Sequence, residues 1–114
     1  MLDELKTGVT SAILAAENFD DPLFNPGGLS EREAWGEVAE FEEAIVRAIA
    51  SDDEGNARGR ELAQRGAVRA RMHAGDFEAA RVLARAYSLD EPGSPKHRDM
   101  LADLLRRAEE GRTP

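Results

Sequence analysis

The 114-residue sequence contains no cysteine, and it has no long apolar run. The missing cysteines exclude disulfides, thiolate nucleophiles and cysteine–metal sites. Polar residues interrupt every apolar run, and Asp3 and Glu4 precede the first one, which argues against a signal peptide and a membrane-spanning helix. Because the length suits one domain with a modest core, we expect residues 1–114 to form a single cytoplasmic domain.

Aromatic residues are also scarce, at 5% of the sequence, and no run of alternating β-branched residues is present. Residues that favour helix, namely alanine, glutamate, arginine and leucine, dominate the composition instead. The core must then be built from leucine, isoleucine, valine and small side chains, which let helices approach closely. The composition predicts an all-α fold without a sheet.

Apolar residues recur at helical spacing in five segments of the chain. A capping-box pattern begins at Ser30 and again at Ser51, and Ser94 stands as a cap before a first-turn proline. Gly66 lies inside the third segment, where we expect a neighbouring helix to pack closely against it. The predicted helices cover residues 2–17, 30–50, 51–74, 77–89 and 94–111. They form either a compact five-helix bundle or a short array of helical hairpins.

The Gly-Asp-Phe turn at residues 75–77 joins the third and fourth helices. Gly75 can end one helix in the left-handed conformation, and Asp76 can cap the next helix by accepting from its free N–H groups. The segment resembles a tetratricopeptide-repeat unit, because Ala80 and Pro92 stand where that family has an alanine and a closing proline. The resemblance implies a helical hairpin of the kind that builds protein-interaction scaffolds. The family's usual residues are replaced at Val68, Arg71, Ala84 and Tyr87.

Residues 18–29 form a predicted loop, because two prolines and a Gly-Gly pair interrupt regular structure there. The loop nevertheless carries three large apolar side chains, Phe19, Leu23 and Phe24. Loops of this composition are usually fixed to the core, so we expect these side chains to be buried. The alternative is that they bind a partner.

A second family resemblance lies in the acidic helix. Residues 37–45, Glu-Val-Ala-Glu-Phe-Glu-Glu-Ala-Ile, look like the acidic helix of the MazG-like nucleotide pyrophosphohydrolases, which hold Mg²⁺ between two acidic helices. The resemblance implies Mg²⁺ ligands at Glu37, Glu40 and Asp103, the last in a segment similar to the family's second helix. The interpretation we prefer is a solvated acidic face opposite an apolar stripe.

Charge is distributed unevenly along the chain, whose formal net charge is −8. Residues 1–57 contain 14 acidic and 3 basic side chains, a net −11, whereas residues 58–114 contain 9 acidic and 12 basic side chains, a net +3. Arginines on the hairpin can bind an acidic peptide or RNA phosphates, although no interleaved aromatics support base stacking. We expect them instead to pair with the acidic helix over residues 31–43, within one chain or across a dimer. The candidate binding surface is Arg65, Arg69, Arg71, Arg81 and Arg85.

The remaining candidates for chemistry are few. His73 and His97 have no second histidine or cysteine at ligand spacing, so we expect no metal, no cofactor and no catalytic set. The sequence therefore predicts a non-enzymatic protein–protein interaction module whose partner is another protein or a second copy, as in a homodimer. The net negative charge disfavours nucleic acid and anionic membrane as partners. The alternative is a Mg²⁺-dependent nucleotide pyrophosphohydrolase that uses the acidic helix.

Overall fold

The computed structural model describes residues 2–90 and 93–113. Within these ranges the chain forms five α-helices and one 3₁₀ turn, without a strand, and this confirms the all-α prediction. No helix in the same ranges is long and apolar enough to cross a membrane. The elements are α1 (Leu2–Glu17), α2 (Glu31–Ala48), the 3₁₀ turn (Glu54–Asn56), α3 (Ala57–His73), α4 (Phe77–Ser88) and α5 (Pro95–Glu109).

Each helix packs against the next one along the chain, and α3 also contacts α5. Among the described elements, α1 touches only α2, and α5 touches only α3 and α4. The Cα atoms extend over 41 × 35 × 17 Å, so the helices form a slab about two helices thick. Because α3 contacts α2, α4 and α5, it is the central helix of the bundle.

Two apolar clusters lie on opposite sides of α3. Ala63 and Ala70 belong to the first cluster, which α1 and α2 complete, whereas Val68 and Met72 pack with α4 and α5 in the second. Tyr87 of α4 is half-buried and packs against both. Alanines make up much of each cluster, so the helices approach closely and the core gains its stability from many small contacts.

The hairpin between α3 and α4 forms as the sequence predicts. Gly75 has a φ of 77°, and its N–H donates to the Met72 carbonyl while the Asp76 N–H donates to the Arg71 carbonyl. This pair of bonds closes the end of α3 in a Schellman motif. The Asp76 carboxylate then accepts from the Ala79 N–H and caps α4. Pro92, which carries part of the repeat resemblance, lies outside the described residues, and the resemblance itself stays a prediction.

The other predicted caps divide into two that form and one that does not. Ser30 makes the full capping box at the start of α2, and Ser94 accepts from the His97 N–H at the start of α5. The box predicted at Ser51 is wrong, because α3 begins only at Ala57 and its cap makes no side-chain bond. The Asp53 carboxylate instead accepts from the side-chain amide of Asn56, 2.9 Å away. Gly55 and Gly59 make a helix costly in this stretch, which explains the late start.

The contact between α2 and α3 explains the glycine inside α3. A Cβ atom at Gly66 would lie 2.8 Å from the carboxyl carbon of Glu42, closer than real side chains approach. An added Cβ would require the Glu42 side chain to shift from its place against the glycine. This contact with α2 confirms the close helix packing that the sequence predicted. A carboxyl group is thereby held in the helix–helix interface, where burial raises the pKa of Glu42 to about 7.

Candidate functional site

Three of the five predicted surface arginines form ion pairs within the chain. Arg71 of α3 reaches Glu43 of α2 at 2.7 Å, which is the expected pairing with the acidic helix. Arg81 pairs with Glu78 one turn away on α4. Arg85 lies 3.2 Å from Glu109 of α5, on an exposed surface. The positive charge of these arginines is therefore largely balanced by neighbours in the same molecule.

Arg65 and Arg69 occupy a different side of α3, facing α5. The Arg65 guanidinium lies 2.9 Å from Nδ1 of His97, and Arg69 makes no ion pair with any residue in the described ranges. Burial lowers the pKa of Arg65, the positive charges of Arg69 and Arg58 act in the same direction, and the negative charge of Glu61 opposes them. Several cations therefore lie near one another along this side of α3, with Glu61 among them.

A polar network that the sequence analysis missed lies beneath these arginines. His97 is only 2% exposed, and its Nε2 atom lies 2.7 Å from the Gln64 side-chain oxygen. Gln64 donates in turn to Asp90 at 2.6 Å, and Arg60 pairs with the same carboxylate. Because a guanidinium only donates, Nδ1 of His97 accepts from Arg65 and Nε2 carries the proton. The network ties α5 and the end of α4 to α3.

The sequence of α3 contains one sign of this network, a glutamine at a position where the helical spacing predicts an apolar residue. Gln64 lies one turn before Val68 and two turns before Met72, so a polar side chain occupies an otherwise apolar stripe. A buried amide needs partners for both its donor and its acceptor. His97 and Asp90 supply them, and burial lowers the pKa of His97, which keeps the imidazole neutral.

A groove of about 620 Å³ runs between α3 and α5, and we call it the basic groove. Two acidic residues, Asp99 and Asp103, line the groove. Asp103 lies 3.0 Å from Arg107 and accepts from Arg106, a bond that lowers the pKa of Asp103. Arg69 and Lys96 have no anionic partner among the described side chains. Three basic side chains and two acidic ones line the groove, so its formal charge is net +1, and Met100 and Leu104 add apolar surface. Its lining residues are Arg69, Lys96, Asp99, Met100, Asp103, Leu104 and Arg107.

The structure does not bring the implied Mg²⁺ ligands together. Glu37 and Glu40 are exposed on α2, whereas Asp103 lies on α5 among arginines. No contact joins α2 to α5 among the described elements, and no group of three potential metal ligands occurs there. His73 does not join such a group either, since its ring stacks on Trp35 with centroids 4.6 Å apart.

The loop over residues 18–29 contradicts the prediction of a buried apolar loop. Phe19 is 39% exposed, Leu23 80% and Phe24 40%. We call these three residues the apolar knob. The buried residue of the loop is the polar Asn25, which is only 4% exposed.

Asn25 takes the interior position because its amide satisfies the loop's own backbone. Its Nδ2 atom donates to the carbonyls of Phe19 and Leu29 at 2.7 and 2.8 Å, and its Oδ1 atom accepts from the Leu29 N–H at 3.2 Å. Backbone groups at the inner side of a loop must be paired, and an apolar side chain cannot pair them. The bulky side chains are consequently turned outward.

The tip of the loop is fixed by a second polar side chain. The Asp21 carboxylate accepts from the Leu23 N–H at 2.9 Å, an Asx turn, and the Asp21 carbonyl accepts from the N–H groups of Phe24 and Asn25. The loop therefore presents the apolar knob on an ordered backbone. Acidic side chains flank it at Glu17, Asp20 and Asp21.

An apolar groove of about 420 Å³ lies beside the knob, between α1 and α2, and we call it the α1–α2 groove. Phe24, Leu29 and Phe41 contribute to its walls, and Glu37 lies at its rim. The chain thus carries an acidic, apolar surface at one end and the basic groove at the other. Comparison with protein-family models, with curated proteins and with solved structures finds no match to this chain.

Proposed function

We propose that this chain is a non-catalytic protein-interaction module that presents the apolar knob to a partner. The observation that carries the proposal is that the loop exposes an apolar side chain and buries a polar one, the reverse of the usual pattern. Leu23 is 80% exposed, whereas Asn25, two residues later, is 4% exposed. Full burial of a large apolar side chain stabilises by about 1.5–3 kcal/mol relative to full exposure. A partner that covers the knob recovers most of this free energy for Leu23 and a smaller share for Phe19 and Phe24, which are 39% and 40% exposed.

The order of the loop supports the same proposal. Asn25 and Asp21 fix the backbone on both sides of Leu23 through hydrogen bonds of 2.7–3.2 Å. A binding segment that is ordered before it meets its partner loses less conformational entropy on association. Clustered apolar exposure on a fixed backbone is typical of interaction sites.

Photo-crosslinking tests the proposal directly. A photoreactive benzophenone amino acid replaces Leu23, and the matched control carries it at Val82, an apolar residue of α4 that is 58% exposed. Irradiation in the cells that make the protein is expected to give a discrete protein adduct from position 23 and none from position 82. Absence of an adduct at position 23, or the same adducts at both positions, would contradict the proposal.

A further inference from the structure

We infer that the partner is a second copy of this chain, and that the apolar knob of one copy docks in the basic groove of the next. The inference rests on the proposed function, and it names the occupant of both surfaces at once. Its basis is that the apolar knob and the basic groove, which lie at different ends of the same molecule, are complementary in charge and in apolar surface.

The first argument is complementarity of charge. Glu17, Asp20 and Asp21 flank the knob, in the half of the chain that carries a net −11. The basic groove is lined by Arg69, Lys96 and Arg107 against Asp99 and Asp103, and neither Arg69 nor Lys96 makes an ion pair within the described residues. An acidic loop placed there supplies the missing counter-charges and relieves the crowding of cations along α3.

The second argument is complementarity of apolar surface. Met100 and Leu104 form part of the groove between its cationic rims, and the knob offers Leu23 as its most exposed side chain. At about 620 Å³ the groove is large enough for bulky side chains. Apolar contact at the centre and opposite charges at the rim is the usual anatomy of a specific interface.

The contact must form between molecules. The loop joins α1 to α2 and lies against these helices, whereas the basic groove lies between α3 and α5. Neither α1 nor α2 touches α5 in the part of the chain that the structure describes. The knob of one chain therefore docks on a different chain.

A two-fold arrangement, in which each knob enters the α1–α2 groove of the other copy, is less favourable. It brings together two chain halves that each carry a net −11, with Glu37 of the groove rim facing the acidic residues of the loop. Like charges in an interface oppose association. Because the knob and the basic groove lie at different ends of the molecule, the contact between them is heterologous. Every open assembly then keeps one unused knob and one unused groove, and association continues beyond the dimer.

Complementation between two defective variants tests this arrangement. The knob variant is Leu23→Ser, and the groove variant combines Arg69→Glu with Lys96→Glu. The matched control combines Lys6→Glu with Arg47→Glu, which makes the same change in net charge on α1 and α2. Sedimentation velocity over a wide concentration range gives the size of each assembly, and far-ultraviolet circular dichroism verifies that each variant is helical.

We expect the wild type and the control to associate beyond the dimer, and association to weaken on the order of tenfold from low to high salt. Each defective variant alone is expected to be monomeric. Their mixture is expected to form a dimer and nothing larger, because one intact knob meets one intact groove. A groove variant that associates like the wild type, or a mixture that stays monomeric, overturns the inference.

The same measurements separate this inference from the proposed function. A wild type that is monomeric throughout, together with an adduct at position 23 that contains a different protein, overturns self-association and leaves the interaction module standing. No adduct at position 23 of any kind overturns both. An adduct of twice the mass of the chain supports both.

Discussion

Replacing Glu42 with glutamine is expected to remove a pH-dependent loss of stability. Glu42 lies on α2 against Gly66 of α3, and an alanine Cβ at that glycine would come within 2.8–3.0 Å of all three carboxyl atoms. No described residue donates a hydrogen bond to this carboxyl group, and burial raises the pKa of Glu42 to about 7. The charged form is therefore disfavoured in the folded protein.

The direction of the pH effect on stability follows from the protonation of Glu42 in the folded and the unfolded protein. In the unfolded chain the Glu42 carboxyl ionises near pH 4.5, whereas in the folded protein it stays protonated up to about pH 7. Folding therefore retains a proton that the unfolded chain releases, and stability falls as the pH rises from about 4.5 to about 7. Above pH 7 the loss is complete, and below pH 4.5 it is absent.

The size of the stability change follows from how far the pKa of Glu42 is raised. A pKa that rises by about 2.5, from 4.5 to about 7, corresponds to ~3.4 kcal/mol for a fully buried group. Glu42 is only half-buried, so solvent screening reduces this to roughly 1.5 kcal/mol. About 1 kcal/mol of it should develop between pH 5 and pH 8.

Urea unfolding followed by circular dichroism at pH 5 and pH 8 measures this effect. The stability of Glu42→Gln relative to the wild type should rise by about 1 kcal/mol between the two pH values, since glutamine does not ionise. The exposed neighbour gives the control Glu40→Gln, which should show no such change. Any fixed cost of the new amide cancels in the comparison between pH values, as do the histidine titrations. A difference that is the same at both pH values would refute the reasoning.

Two other predictions concern glycine geometry and the loop. Gly75→Ala should lower the free energy of unfolding by about 1–2 kcal/mol, because φ of this residue is 77° and the Arg32 guanidinium lies where the new Cβ would be. Gly36→Ala should raise it by about 1 kcal/mol, because the Cβ there meets open space on α2 and alanine favours helix. Thermal unfolding of both variants checks this pair, and equal effects would contradict it. Asn25→Ala should speed proteolysis and hydrogen exchange within residues 19–29 while α2 exchanges as before, because three loop hydrogen bonds are lost. Unchanged exchange in the loop would show that Asn25 does not hold it.

The sequence was sufficient for the five helices and for most of the caps whose partners lie within four residues. The Ser30 capping box, the Gly75–Asp76 turn and the Ser94 cap all form, because each depends on backbone groups fixed in place by the same short segment. The predicted box at Ser51 failed because glycines nearby favour a different local structure, and Asp53 found a side-chain partner instead.

Pairings between distant residues could not be predicted from the sequence alone. Arg71 meets the acidic helix, but Arg65 faces His97 and Arg85 faces Glu109, and the choice depends on which side of each helix packs inward. The buried network through Gln64 likewise joins residues about 26 and 33 positions apart. Helical periodicity identifies a face but does not identify the helix that covers it.

The sequence by itself determined that this chain is all-helical, roughly where four of its five helices begin, and that its two halves differ in charge, because composition and local hydrogen bonding decide these properties. Only the tertiary structure decided that Asn25 is buried while Leu23 is exposed, and that Arg69 and Lys96 share one groove. Burial depends on which backbone groups need partners once the helices have packed, and hydrophobicity alone does not carry that information.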